Sequence, residues 1–244
     1  MAFEPFIRLL RGIQGKPRLD GLGDIQNSQQ IAFLRRMQKE MDQEDSLKVH
    51  LKKLDVVVFD IETTGFFPNK GDEIISIGAV KITDGEIKEE DTFYSLVHCE
   101  KELPPEIEKL TGITSSHLKE APMLSNVFVN FLKYVQGSIL VAHHANHERS
   151  FLQSASWKLF RTPFKHRIVD TSFLFRVAEP ELTKVTLEDL CEHIGIPVTG
   201  RHHALEDAKL TAKLWEHYAR VVTSVGCETL HDVYSQLARN KRPF

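Results

Sequence analysis

LDVVVFDIETTG, residues 54–65, is the stretch on which the fold turns. Val56, Val57, Val58 and Phe59 follow one another with no polar break, the composition of a strand buried on both faces. Two acids come next, Asp60 and Glu62, at a spacing of two. In an extended chain that spacing sends both side chains to one face, here at the C-terminal end of the strand. Adjacent carboxylates repel, and burying them is costly. One could cap a turn while the other stays in water, yet both occupy a strand otherwise made of Val, Phe and Ile. A divalent cation between them removes the repulsion, and carboxylate oxygens suit Mg²⁺ or Mn²⁺. The turn TTG that follows is expected to expose backbone N–H groups beside such an ion.

Further along, EIISIGAVKI (73–82) and DTFYSLVH (91–98) read as a second and third strand joined by the turn TDGE. APMLSNVFVNFLKYVQG (121–137) reads as a helix stopped at Gly137, and SILVAHH (138–144) as a fourth strand. A helix over about 146–160 and a short strand HRIVD (166–170) come next. TLEDLCEHIG (186–195) is a helix with Thr186 as N-cap and Gly195 as stop. A long amphipathic helix over 203–222 and a last helix over about 227–239 complete the pattern. A three-strand meander followed by alternating helix and strand predicts an α/β fold, a mixed β-sheet flanked by helices.

Residues 1–52 have a different texture. Gly-rich turns (RGIQGKPRLDGLGD) precede Ile31, Leu34, Met37 and Met41, whose spacings of three, three and four are helical. This N-terminal helical extension or linker is either a surface helix, a leader, or a docking arm for a partner. The expected division is therefore an extension over 1–52, a main domain over 53–222, and a C-terminal helix with a basic tail over 223–244.

A length of 244 residues suits one large domain with an appendage. No apolar run approaches the roughly 18 residues that span a bilayer. Glu4, Arg8 and Arg11 interrupt the apolar patch at the N-terminus, unlike a signal peptide. A cytoplasmic protein with no membrane partner is expected. Cys99, Cys191 and Cys227 are odd in number and scattered, which argues against a disulfide framework and against a thiolate zinc site. The net charge of −3 does not suit a protein that coats long duplexes. Contact with nucleic acid should be local, at an end or a short strand, with bound cations adding positive charge.

VAHHANHERSFL (141–152) carries His143, His144, His147 and Glu148. Alone, its histidines suggest zinc. His143 and His144 are adjacent, however, and point to opposite faces if the strand continues through them; His144 and His147 converge only if a helix has begun. The last acid candidate is Asp207, in GRHHALEDAKLTA. Ala204, Leu210 and Leu214 share its helix face, so Asp207 should lie on the packing side, where it needs a base or a metal. Glu206 beside it reads as solvated. His202, five residues before Asp207, sits in the loop that enters the helix, well placed to take a proton from water.

FDIETTG, AHHANHERSFL and HHALEDA, in this order, resemble the three motifs of the DEDDh exonucleases, a family that includes the proofreading (epsilon) subunit of bacterial DNA polymerase III. The resemblance runs from about Leu54 to about Tyr218; LTGIT (110–114) and AP (121–122) also resemble segments of the family. It implies a ribonuclease H-like fold and 3′→5′ hydrolysis of single-stranded nucleic acid ends in proofreading or repair. It implies Asp60, Glu62, Glu148 and Asp207 as ligands of two Mg²⁺ or Mn²⁺ ions and His202 as general base. Thr63, Thr64 and Gly65 are implied to hold the terminal nucleotide, Leu110 to stack near its base, and His143 to lie near the nucleotide or the sheet end. A polymerase or repair complex is the implied partner, reached through the N-terminal extension.

The second motif departs from the family's His-Asn-Ala-x-Phe-Asp. Glu148 stands at the Asp, His144 at the Asn and His147 at the Phe. The charge is kept on an arm one methylene longer. A catalytically weak or inactive end-binding scaffold of the same fold is therefore an alternative, and so is an RNA 3′ exonuclease. Finally, SWKLFRTPFKHR (156–167) interleaves Trp157, Phe160 and Phe164 with Lys158, Arg161, Lys165 and Arg167. It reads either as a single-strand groove or as a helix with aromatics inward and cations in water.

Overall fold

A computed structural model describes residues 46–240 of the chain; the pattern at Ile31, Leu34, Met37 and Met41 lies outside the described residues. Five strands form one mixed sheet: β1 (Val56–Thr63), β2 (Ile74–Thr83), β3 (Glu86–Leu96), β4 (Ile139–Ala142) and β5 (Ile168–Asp170). Their order is β3-β2-β1-β4-β5. β1, β2 and β3 are a meander of antiparallel pairs, while β4 joins β1 and β5 joins β4 in parallel. The helices are α1 (Pro105–Thr111), α2 (Ser115–Glu120), α3 (Leu124–Tyr134), α4 (Asn146–Phe160), α5 (Ser172–Ala178), α6 (Leu187–His193), α7 (Ala204–Ser224) and α8 (Leu230–Asn240). None of the described helices is long and apolar enough to cross a membrane.

The period-two alternation of β1 divides the core. Val57, Phe59 and Ile61 pack with Phe128 and Phe131 of α3 and with Phe151 and Leu152 of α4. Val56 and Val58 face the other way, onto Leu210, Leu214 and Trp215 of α7. Asp60 and Glu62 continue that second face, so both acids look toward α7. Leu51, Leu230 and Val233 join the same core, and His50 pairs with Thr229.

The close seat of α7 depends on one glycine. Gly78 of β2 is the cross-strand partner of Asp60. A Cβ at Gly78 would come closer than 3.0 Å to backbone atoms of Ala204 and Leu205. The absence of a side chain lets the first turn of α7 rest on the sheet directly opposite Asp60, and Asp207 lies in that turn. Elsewhere β3 begins earlier than DTFYSLVH suggested, and the short helices α1, α2 and α5 have no counterpart in the apolar periodicity.

Candidate active site

Asp60, Glu62 and Asp207 offer carboxylate oxygens that all lie within 4.8 Å of one another. The first two come from the end of β1, at a bulge between Glu62 and Thr63 that bends the strand as it leaves the sheet. The third comes from α7. Glu148 stands in the first turn of α4, with only 4% of its surface exposed. Its charge is the strongest of the neighbouring charges acting on Asp60.

Three of these acids are pushed above their usual range. Burial, then the charges of Glu148, Glu62 and Asp207, push the Asp60 carboxyl well above the usual range. Burial and Asp207 lift Glu62 to about 7. Burial, then Asp170 and Glu62, lift Glu148 to about 8. Asp207 Oδ1 and Glu148 Oε2 are buried with no hydrogen-bond partner among the described residues. Oxygen-only donors, crowded charge and unpartnered buried oxygens together fit a hard divalent cation. Among the described residues no histidine belongs to a group that could hold a metal, which removes the zinc reading of residues 141–152.

One cation is already present. Arg201 places Nη1 on Asp207 Oδ2 and, at 2.6 Å, Nε on Glu188 Oε1 of α6. It lowers both Asp60 and Glu62, against the dominant upward push. Its signal in the sequence is a base next to His202 and six residues before Asp207. Asp170, like Arg201, was not among the expected site residues. It ends β5 as Asp60 lies near the end of β1, accepts from Ala145 N at 3.0 Å and Ser172 N at 2.8 Å, and so fixes the turn into α4.

His202 has a left-handed backbone (φ 61°) and donates its N–H to Asp207 Oδ2 at 3.1 Å. That bond ties the loop histidine to the carboxylate cluster, and its side chain is partly exposed. His203, next along, stacks on Tyr94 of β3 with ring centroids 4.5 Å apart. Thr63 Oγ1 donates to Gly65 O at 2.7 Å and lies 3.4 Å from His147 Nε2. Thr64 is occupied on both sides: its N–H donates to Glu73 O, and its hydroxyl accepts from Glu73 N. The Thr64 N–H is therefore not free beside a metal, contrary to the expectation for this turn. A Cβ at Gly65 would collide with the Asp72 carboxylate, which accepts from Phe67 N and braces the loop. Leu110 stands 49% exposed on α1.

His143 has both ring nitrogens engaged. Nε2 lies 3.0 Å from Val185 O, a pure acceptor, so it carries the proton; Nδ1 then accepts from Thr171 Oγ1 at 2.9 Å. Burial lowers its pKa to about 4. This geometry makes His143 a neutral brace between β4 and the loop before α6, with no nitrogen left for a nucleotide. His144, exposed and at φ 55°, packs against it. His147 packs on Phe151 and meets Phe66 edge-on.

Residues 57–215 match the profile of the RNase T family of exonucleases. The chain belongs to this exonuclease family. It is 39% identical to a PolC-type DNA polymerase III of Caldanaerobacter subterraneus subsp. tengcongensis over 181 residues, covering 74% of this chain but 13% of that protein. It is 35% identical to the DNA polymerase III epsilon subunit of Aquifex aeolicus over 172 residues, covering 70% of this chain and 84% of that one. The chain thus spans a small part of its PolC-type relatives and most of an epsilon subunit. Among solved structures, the nuclease domain of 3′hExo, a DEDDh family member bound to rAMP, superposes with a TM-score of 0.61 at 23% identity, over 72% of this chain and 94% of that one. Exonuclease X in complex with 5′ overhanging duplex DNA gives 0.57 at 23%, over 73% and 98%. The exonuclease fold is thereby the ribonuclease H-like one expected.

Proposed function

We propose that this chain is a divalent-metal-dependent 3′→5′ exonuclease acting on single-stranded nucleic acid ends. The observation that carries the reading is the convergence of Asp60, Glu62 and Asp207 from two elements, with the charge of Glu148 also acting on Asp60. In this reading the four acids hold two Mg²⁺ or Mn²⁺ ions. Bound there, the ions supply the positive charge that activates water and steadies the departing 3′ oxygen. His202 takes the proton from the attacking water. Thr63 and the braced turn at Thr64 and Gly65 flank the terminal nucleotide, with Leu110 exposed for a base. Arg201 holds Asp207 in place.

DNA is the substrate we favour, because the relatives named above are a PolC-type DNA polymerase III and a DNA polymerase III epsilon subunit. RNA is the second reading, favoured by the neighbour bound to rAMP. A polymerase or repair complex is the partner we propose; the extension read as its docking arm lies, up to residue 45, outside the described residues. A cytoplasmic location suits three buried free cysteines. The test is cleavage of matched DNA and RNA oligonucleotides, single-stranded and 3′-mismatched, during titration with Mg²⁺ and Mn²⁺. Faster loss of single-stranded and mismatched DNA supports the proposal. Inertness on every substrate favours the scaffold alternative.

A further inference from the structure

Phe151, Leu152, Ala155 and Phe160 turn one side of α4 into the core. Another side carries His147, Ser150, Ser154, Trp157, Lys158 and Arg161, at the three- and four-residue spacings of a single stripe. The stripe begins at the candidate active site, where His147 meets Thr63 and Phe66, and runs roughly 20 Å along the helix. Opposite it stand Pro68 and Asn69 of the loop that leaves the TTG turn. Between them lies a groove of about 550 Å³.

Its chemistry is specific. Trp157 is 53% exposed, whereas Phe160 is buried and Phe164 packs on Phe128. Of the three interleaved aromatics, only Trp157 opens its ring to the groove. Arg161 ends the helix in a left-handed conformation and is exposed. Lys158 reaches Glu73 at 3.1 Å, an ion pair between partly exposed groups of the sort worth about 1 kcal/mol or less. A phosphate can displace that carboxylate. Among the described residues no acid lines the groove; Ser150, Gln153, Ser154 and Asn69 supply the remaining polar surface. An exposed ring with two cations beside it matches bases and phosphates.

We propose that this groove seats the strand upstream of the scissile nucleotide, with one base stacked on Trp157 and phosphates against Arg161 and Lys158. The proposal rests on the exonuclease reading and extends its footprint several nucleotides beyond the cleaved end.

The test compares kcat/KM for oligothymidylates of about fifteen and about three nucleotides, lengths that do and do not reach the groove. Trp157→Ala should lower the long-to-short ratio by about tenfold, the weight of one stacked base, and Trp157→Phe should restore most of it. Arg161→Glu should lower the same ratio and flatten its salt dependence. Unchanged ratios in an active enzyme overturn the groove and leave this face to a protein partner. Intrinsic fluorescence separates the two readings, because the other tryptophan, Trp215, is buried. Quenching by dT15 or U15 without cleavage upholds the groove and sinks the nuclease reading. Cleavage with no quenching does the reverse.

Discussion

At the scale of the residue, Glu148 decides how the site is tuned. Its carboxylate is buried, one oxygen has no partner, and its pKa is raised to about 8. The turn that carries it is fixed by Asp170 through Ala145, so the backbone will not follow a shortened arm. Glu148→Asp should therefore lower kcat, by as much as about 10²-fold for a displacement of about 1 Å. A gain in activity would show a detuned site instead. His202→Ala should lower kcat by about 10²- to 10⁴-fold while leaving the affinity for a DNA end nearly intact, read by steady-state kinetics and by equilibrium binding. Asp60, Glu62 and Asp207 were legible because each interrupts an apolar pattern of known period. Glu148 stands out in the sequence as an acid just past the fourth strand, but its role as a ligand comes only from the resemblance, since an acid in the first turn of a helix is ordinary. Of the two readings of His143, near the nucleotide or at the sheet end, the structure has it just past the end of β4, with its second nitrogen closed by Val185, forty-two residues away and invisible in the sequence.

At the scale of the element, α7 brings Asp207 to β1 through the gap at Gly78. Gly78→Ala should push the first turn of α7 off the sheet. The expected cost is at least about 2 kcal/mol, read as a Tm lower by on the order of 5 °C, with a larger proportional loss of activity than of stability. Normal activity would mean that the turn is free to shift. β1 and β2 were legible because buried strands are written in Val and Ile. The start of β3 was not: it is an edge strand with a mostly exposed, charged opening (EIKEED), which reads as loop. The short helices α1, α2 and α5 were missed because one or two turns leave no apolar period to detect.

At the scale of the whole molecule, two sets of titrating groups shape the response to pH. Burial lowers His143 and His166 to about 4, below the usual 6.5. The unfolded chain binds those protons more tightly, so their contribution is lost as pH falls from 6.5 toward 4. Glu62 and Glu148 are raised to about 7 and about 8, so their contribution is present below the usual 4.5 and is lost as pH rises through 7 and 8. Without added metal, Tm should fall between pH 6.5 and 8, where only the carboxylates act. Mn²⁺ should raise Tm more at pH 8 than at pH 5.5, because protons no longer compete for the oxygens. An equal rise at both, read by thermal unfolding, contradicts cation binding at this cluster. The central claim is tested most directly by digesting a 5′-labelled single-stranded oligonucleotide with Mn²⁺ or Mg²⁺ and resolving the products by length. The expected product is a ladder that shortens one nucleotide at a time from the 3′ end, stopped by chelation and by Asp60→Asn. Full-length strand with both metals, or a ladder that survives Asp60→Asn, would contradict it.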